Sequence, residues 1–290
     1  TDKNYSKNVK IFISEGKKMK IKEINFIGNN NFSKKEIIKN FEFLSEKKFF
    51  KFWKGSFNQK NLDLDLKKIT TMYKNNGYRD IEIVSHKVEY DKKNIFITIE
   101  LKEGEKNYYR NFNFDGNFQF SDAELLESLM PFQYSEKPLQ KGDIYNEEFF
   151  NFSVYNLNKK YMDEGYYFIQ IQTEVIPIKL NELDVNFKII ESEKTKIRKV
   201  IISGNNKTYD NVIRREMLIH PGDIFNMKKL EESYRQVFML DYFESVDPQI
   251  LTIGEMTEFV DLNFKVIEKE TGRANFSMGY NELHGLTGGG

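Results

Sequence analysis

Ile24-Asn25-Phe26-Ile27-Gly28-Asn29 is a short alternating strand that stops on Gly-Asn. It returns as Phe112-Asn113-Phe114-Asp115-Gly116-Asn117 and as Val200-Ile201-Ile202-Ser203-Gly204-Asn205. The glycines stand 88 residues apart both times, from 28 to 116 and from 116 to 204. A fixed long period marks tandem structural units rather than one globular enzyme domain. Gly77-Tyr78 and Gly165-Tyr166 keep the step of 88, and so do Glu15-Gly16 and Glu103-Gly104. Phe57-Asn58 and Tyr145-Asn146 keep it too, whereas Phe225-Asn226 follows after 80 residues. The shortfall falls in a loop, where deletions are tolerated.

Each period spells the same elements. After the opening strand, Ser33-Lys34-Lys35-Glu36 and Ser121-Asp122-Ala123-Glu124 fit a capping box at the head of a short helix. Thr208 to Asn211 is a weaker version. Asn58, Asn146 and Asn226 fit the N-cap of a longer helix, with an aromatic residue before each and Leu62, Phe150 or Leu230 four residues after, as in a hydrophobic staple. The stripes Leu62, Leu66, Ile69, Tyr73, then Phe150, Val154, Leu157, Tyr161, then Leu230, Tyr234, Val237 put apolar side chains on one helical face. Gly77 and Gly165 suit a left-handed helix end, and Asp241 takes that place in the third period. Two strands close each unit. The last alternates cleanly: Ile95, Ile97, Ile99, Leu101; Leu183, Val185, Phe187, Ile189; Val260, Leu262, Phe264, Val266. The strands before these, near 79–90, 167–178 and 244–253, alternate less cleanly. Pro177 and Pro248 assign two of them to sheet edges, because proline donates nothing to a ladder. The fold class is therefore α+β, a β-α-α-β-β repeat with a three-stranded sheet covered by two helices. The first strand joins the last, which leaves the middle strand at an edge.

Composition narrows the function. With 44 basic and 44 acidic residues the chain lacks the basic excess of a nucleic-acid binder. There is no cysteine, hence no disulfide or thiolate metal site. No apolar run is long enough for a helical membrane span. His86, His220 and His284 lie in separate segments without ligand spacing. Asp63 and Asp65 diverge at i, i+2 on a helix and fit an N-terminal charge effect. Gly288-Gly289-Gly290 lacks the lysine and the strand–helix setting of a phosphate loop. No catalytic, cofactor or metal site is expected. The insert Phe41 to Gly55 interleaves Phe49, Phe50, Phe52 and Trp53 with Lys47, Lys48, Lys51 and Lys54. It is either a cap on the first core or a sticky contact surface.

The β-α-α-β-β order, the strand-end Gly-Asn, the Gly-Tyr after the second helix and the Glu-Gly or Glu-Lys after the last strand together resemble POTRA domains. These are the periplasmic repeats of outer-membrane barrel-assembly proteins. Val266-Ile267-Glu268-Lys269-Glu270-Thr271-Gly272 leading into Asn275-Phe276-Ser277-Met278-Gly279-Tyr280 resembles the junction between a last repeat and a first barrel strand. Phe276, Met278 and Tyr280 also alternate as a barrel strand does. The expected organisation is a closing strand of an interrupted earlier repeat over 1–17, repeats over 18–106, 107–194 and 195–270, and the start of a barrel strand over 271–290. The chain would then hold the last three repeats before a barrel. If the parent has five, they are its third to fifth.

The resemblance implies a scaffold, not an enzyme, on the periplasmic side of the outer membrane of a Gram-negative bacterium. Its implied partners are unfolded outer-membrane protein clients and accessory assembly lipoproteins, with a parent anchored by a barrel and no cofactor. Client docking by β-augmentation points to the exposed edge strand of the first repeat, from Arg79 to Tyr90, with Arg79, Ile81, Ile83 and Ser85 as candidate contacts. The counterpart edge is Tyr167 to Ile178. In the barrel-adjacent repeat Arg214-Arg215-Glu216-Met217 resembles a family run on the first helix, and Arg214, Arg215 and Glu216 are candidate partner contacts. The alternatives are the periplasmic domains of a two-partner secretion pore or other polypeptide-translocating barrel, or a barrel-less envelope adaptor. The links near 104–108 and 192–197 are short and polar, so hinging between repeats is the expectation.

Overall fold

The computed structural model describes residues 19–46, 57–130, 137–179, 181–254, 256–270, 277–281 and 285–289. The interrupted strand expected over 1–17 and the aromatics Phe49, Phe50, Phe52 and Trp53, with their lysines, lie outside the described residues. Contacts group the chain into two compact units. One comprises 1–113, 126–154 and 173–187, the other 114–125, 155–172 and 188–290.

The β-α-α-β-β order recurs three times. The first set is β1 (Lys20–Ile27), α1 (Lys34–Lys39), α2 (Gln59–Lys74), β2 (Glu82–Asp91) and β3 (Asn94–Lys102). The second is β4 (Tyr108–Asp115), α3 (Asp122–Ser128), α4 (Glu147–Asp163), β5 (Gln170–Lys179) and β6 (Glu182–Ile190). The third is β7 (Lys196–Ser203), α5 (Asp210–Arg214), α6 (Met227–Met239), β8 (Phe243–Ile253) and β9 (Met256–Glu268). The sheet orders are β1-β3-β2, β4-β6-β5 and β7-β9-β8, so the last strand is central and the middle strand is an edge. β1 runs parallel to β3, and β7 to β9; β2 and β8 pair antiparallel to the same central strands. In the segment read as the start of a barrel strand, β10 (Ser277–Asn281) and β11 (Gly285–Gly289) form an antiparallel hairpin.

The alternating residues of each central strand are the floor of a core. Ile95, Ile97, Ile99 and Leu101 are buried with Leu62, Leu66, Ile69 and Tyr73 of α2. Val260, Leu262, Phe264 and Val266 are buried with Leu230 and Val237 of α6. Tyr234 departs from its expected stripe. It is 37% exposed and stacks on Phe238 instead, and the polar Ser233 takes the inward place.

Gly-Asn marks a strand end for a steric reason. At Gly28 φ is +86°, and a Cβ there would sit 2.1 Å from the Leu101 carbonyl oxygen of the central strand. Gly116 and Gly204 meet Ile189 and Val266 in the same way, at 2.1 and 2.0 Å. Only glycine permits that approach and that backbone. The next residue fastens the turn, since Nδ2 of Asn29, Asn117 and Asn205 donates to the carbonyls of Phe32, Phe120 and Thr208. A carboxylate at the end of the central strand, its last residue or the one after, gathers the loop amides. Glu103 accepts from Asn31, Glu191 from Gln119, and Glu268 from Asn206, Lys207 and Thr208. Partial burial works against the Glu268 charge, yet the hydrogen bonds of Thr208, Lys207 and Asn206 hold its carboxyl below the usual range.

The caps form as their sequences demand. Ser33 and Glu36 make the reciprocal box, Ser121 and Glu124 repeat it, and the Oδ1 atoms of Asn58, Asn146 and Asn226 accept from Lys60, Phe149 and Lys229. Tyr209 heads α5 without a side-chain cap. Gly77 and Gly165 end their helices at φ +102° and +103°, and Asp241 adopts φ 61°.

Asp63 and Asp65 part company. Asp63 is exposed and accepts from Gln59, whereas Asp65 is fully buried and accepts from the amides of Glu42, Phe43 and Leu44 at 2.7–3.3 Å. It holds the segment after α1 against α2, so a helix-dipole role is not its main function. Ser153 and Ser233 stand seven residues past their caps, as Asp65 does. The Ser153 hydroxyl donates to the Leu129 carbonyl, and Ser233 accepts from the Leu218 amide.

Candidate docking edge

β2 occupies the outside of its sheet, and among the described residues no strand pairs with its far side. Its ten residues carry no proline. The corresponding edges β5 and β8 contain Pro177 and Pro248. An unpaired row of amides and carbonyls is a template for another strand, and proline removes one donor from such a row.

The four candidate residues do not share one surface. Arg79 and Ile81 precede the strand, which begins at Glu82, because the turn after α2 continues through Asp80. Ile81 is buried in the first core, and Ile83 packs on that core while half buried. Ser85 is exposed, and its hydroxyl donates to Glu100 at 2.9 Å. Between Ile83 and Ser85 the register shifts, placing Val84 in a bulge with half its surface exposed. Tyr90 is 60% exposed and meets Phe57 edge-on at 6.3 Å. Val84 and Tyr90 are the large apolar side chains left exposed on this edge strand. Alternation alone did not single them out, because the bulge reverses the facing of the strand partway along it.

In the third repeat the helix α5 ends at Arg214. Arg215 is its C-cap, and Glu216 and Met217 lie beyond it, with Met217 buried. Three of the four residues of the run expected on the helix, Arg215, Glu216 and Met217, thus lie past its end. Arg214 donates to the Val200 carbonyl at 3.1 Å and approaches Asp210 at 3.4 Å. Arg215 pairs with Glu216 at 3.0 Å while remaining largely exposed. Arg214 therefore braces α5 to β7, and the Arg215–Glu216 pair faces solvent. His220 lies 3.7 Å from Asp223, and among the described residues no group of three His, Cys, Asp or Glu side chains could hold a metal ion. Among the same residues no helix is long and apolar enough to cross a membrane.

Three successive β-α-α-β-β units, each with its middle strand at a sheet edge, define a class of repeat module. The model of the POTRA family, described as "Surface antigen variable number repeat", matches residues 19–104, 107–192 and 195–269. The chain belongs to the POTRA family. It is similar to outer membrane protein assembly factor BamA of Nitratidesulfovibrio vulgaris, 30% identical over 280 residues, covering 94% of this chain and 34% of that protein. It is similar also to BamA of Buchnera aphidicola, 28% identical over 96% of this chain and 44% of the relative. A putative outer membrane protein assembly factor of Treponema pallidum is 29% identical over 93% of this chain and 32% of its own length. The chain therefore spans less than half the length of each of these relatives. Among solved structures, the crystal structure of Haemophilus influenzae BamA POTRA3-5 superposes with a TM-score of 0.69 at 22% identity, covering 86% of this chain and 96% of the other. That likeness establishes the fold.

Proposed function

We propose that this chain is the periplasmic repeat region of an outer-membrane protein insertase, a docking scaffold that performs no covalent chemistry. Unfolded outer-membrane proteins add a strand to β2, and the main chain supplies the hydrogen bonds. Such pairing tolerates sequence variety, as a general insertase requires. Accessory assembly lipoproteins meet the third repeat at the exposed Arg215–Glu216 pair, with Arg214 shaping the helix behind it. Residues 271–290 begin a membrane barrel that anchors the parent.

The observation carrying the proposal is the edge of β2, which is free of proline and unpaired among the described residues, whereas its two counterparts bear proline. The resemblance to assembly factors supports the compartment and the kind of client. Titrating a labelled chain with a peptide copied from a client strand should shift the amide signals of residues 82–91 and leave those of β8 unmoved. Unshifted signals over 79–91 at saturating peptide would end the docking proposal. Charge reversal at Arg215 and Glu216 should weaken lipoprotein binding, and unchanged binding would remove that contact.

A further inference from the structure

The long helices of successive repeats meet end to end, and one asparagine at each meeting makes bonds to both. Asn146 accepts from the Phe149 amide with Oδ1 at 2.9 Å, which caps α4. Its Nδ2 donates at 2.8 Å to the carbonyl of Asn75, the C-cap residue of α2. The bond is answered from the other side, because the Glu148 amide donates to Oδ1 of Asn75 at 3.1 Å. At the next meeting Asn226 caps α6 through Lys229 at 2.8 Å and donates to the carbonyl of Asp163, the last residue of α4, at 2.6 Å. The Lys228 amide donates to Oδ1 of Asp163 at 2.7 Å.

The electrostatics favour this join. Helix C-termini present unpaired carbonyls and N-termini unpaired amides, so an N-terminus set against a C-terminus brings opposite partial charges and complementary groups together. An amide side chain suits the position, because one atom accepts and the other donates. Two further contacts accompany each join. The Asn107 amide donates to the Gly77 carbonyl and the Tyr145 amide to the Asn107 carbonyl, both at 2.9 Å. Thr195 and Phe225 repeat the pattern with Gly165 at 2.9 and 2.8 Å. Ile144 and Ile224 then seat on the glycines. Their Cγ2 atoms lie 2.9 and 2.5 Å from where a Cβ of Gly77 or Gly165 would be. A cap asparagine needs only its oxygen, so the second bond and its recurrence call for a separate explanation.

We propose that Asn146 and Asn226 are joint-positioning residues, each tying its own helix to the end of the preceding one and holding consecutive repeats in a single orientation. The joints are clamps in place of the free hinges that short polar links suggest. The proposal concerns the chain without a client, so its failure leaves the docking edge untouched.

Aspartate and serine cap helices as well as asparagine does. Aspartate lacks the donor, and the serine hydroxyl is too short to reach across. In the full chain, N226D and N226S should keep the hydrogen-exchange protection of α6 while the amides of Thr195 and Phe225 lose theirs. A spin-label pair across the joint should change from one narrow distance to a broad distribution, and N146D should act likewise at the first joint. Narrow, unchanged distances in all three variants would overturn the proposal. So would equal loss of protection throughout α6, because the residue would then be a cap and nothing more.

Discussion

In the first repeat a carboxylate, Asp65, gathers the amides of Glu42, Phe43 and Leu44; in the third a hydroxyl, Ser233, takes the amide of Leu218. Both residues are fully buried at the same distance from their helix caps. The topology requires a polar group there because the chain leaves the short helix and crosses the long one with amides turned inward. The first repeat has a longer crossing to secure, containing the 41–55 insert, and uses charge-assisted bonds. The third has a shorter crossing and uses a neutral group that also donates to Lys229 in its own helix. What recurs between repeats is the need for a polar partner at this point, and the middle repeat, whose crossing is nearly as long as the first, meets it with a hydroxyl as well, through Ser153 and the Leu129 carbonyl.

The largest effects should follow loss of the two anchors. Asp65→Ala strands several inward amides and should destabilise the first repeat by about 3 kcal/mol. Ser233→Ala should cost the third about 1 kcal/mol. Hydrogen exchange resolved by repeat is the measurement, since global melting mixes units that need not unfold together. Equal losses would show that the carboxylate does no more than the hydroxyl. A small effect at Asp65 would mean that water replaces it.

A second contrast lies across the opening strands. Arg110 pairs with Asp184, and Arg198 with Asp261 at 2.6 and 2.9 Å, whereas in the first repeat Lys22 lies 5.4 Å over the ring of Phe96. The guanidinium hydrogen bonds hold both aspartate carboxyls below their ordinary range. A carboxyl whose pKa is lower folded than unfolded contributes stability at pH above its unfolded value, and the contribution is lost as pH falls through the folded value. On acidification from neutrality, the middle and third repeats should lose protection from these pairs, and the first has no aspartate there to protonate. Asp184→Asn and Asp261→Asn should flatten the acid limb. If the first repeat loosens at the highest pH of the three, the pairs are not what separates them.

The repeat order, the caps, the edge strands and the alternating cores were legible because they follow local rules. Serine three before glutamate, asparagine before an apolar stripe and proline at an edge each act within a few residues. Asp65 was misjudged because its partners lie more than 20 residues away and are backbone amides, to which no side-chain pattern points. The outer edge was placed correctly as an element. Its start and its facing were missed, since a turn carries Arg79 and Ile81 and a bulge at Val84 reverses the alternation. The second bonds of Asn146 and Asn226 were hidden behind the first, because the cap alone accounts for an asparagine at each position.

The finest contrast is at the ends of the long helices. Gly77 and Gly165 turn the chain at φ +102° and +103°, and Asp241 makes the same turn at φ 61°. A Cβ in the left-handed region costs roughly 1 kcal/mol, and aspartate bears it better than most residues. Lys269 compensates in part through an ion pair with Asp241, and its amide donates to the Tyr242 carbonyl at 2.9 Å. Asp241→Gly removes the strain together with the ion pair, and both residues of that pair are exposed enough for water and salt to screen it. The strain is the larger quantity. The variant should therefore stabilise the third repeat by about 0.5 kcal/mol, read as slower exchange in α6 and β8. Loss of stability instead would show that the pair with Lys269, not the helix end, governs this position, and that the third repeat closes its helix by charge where the first two do it by glycine.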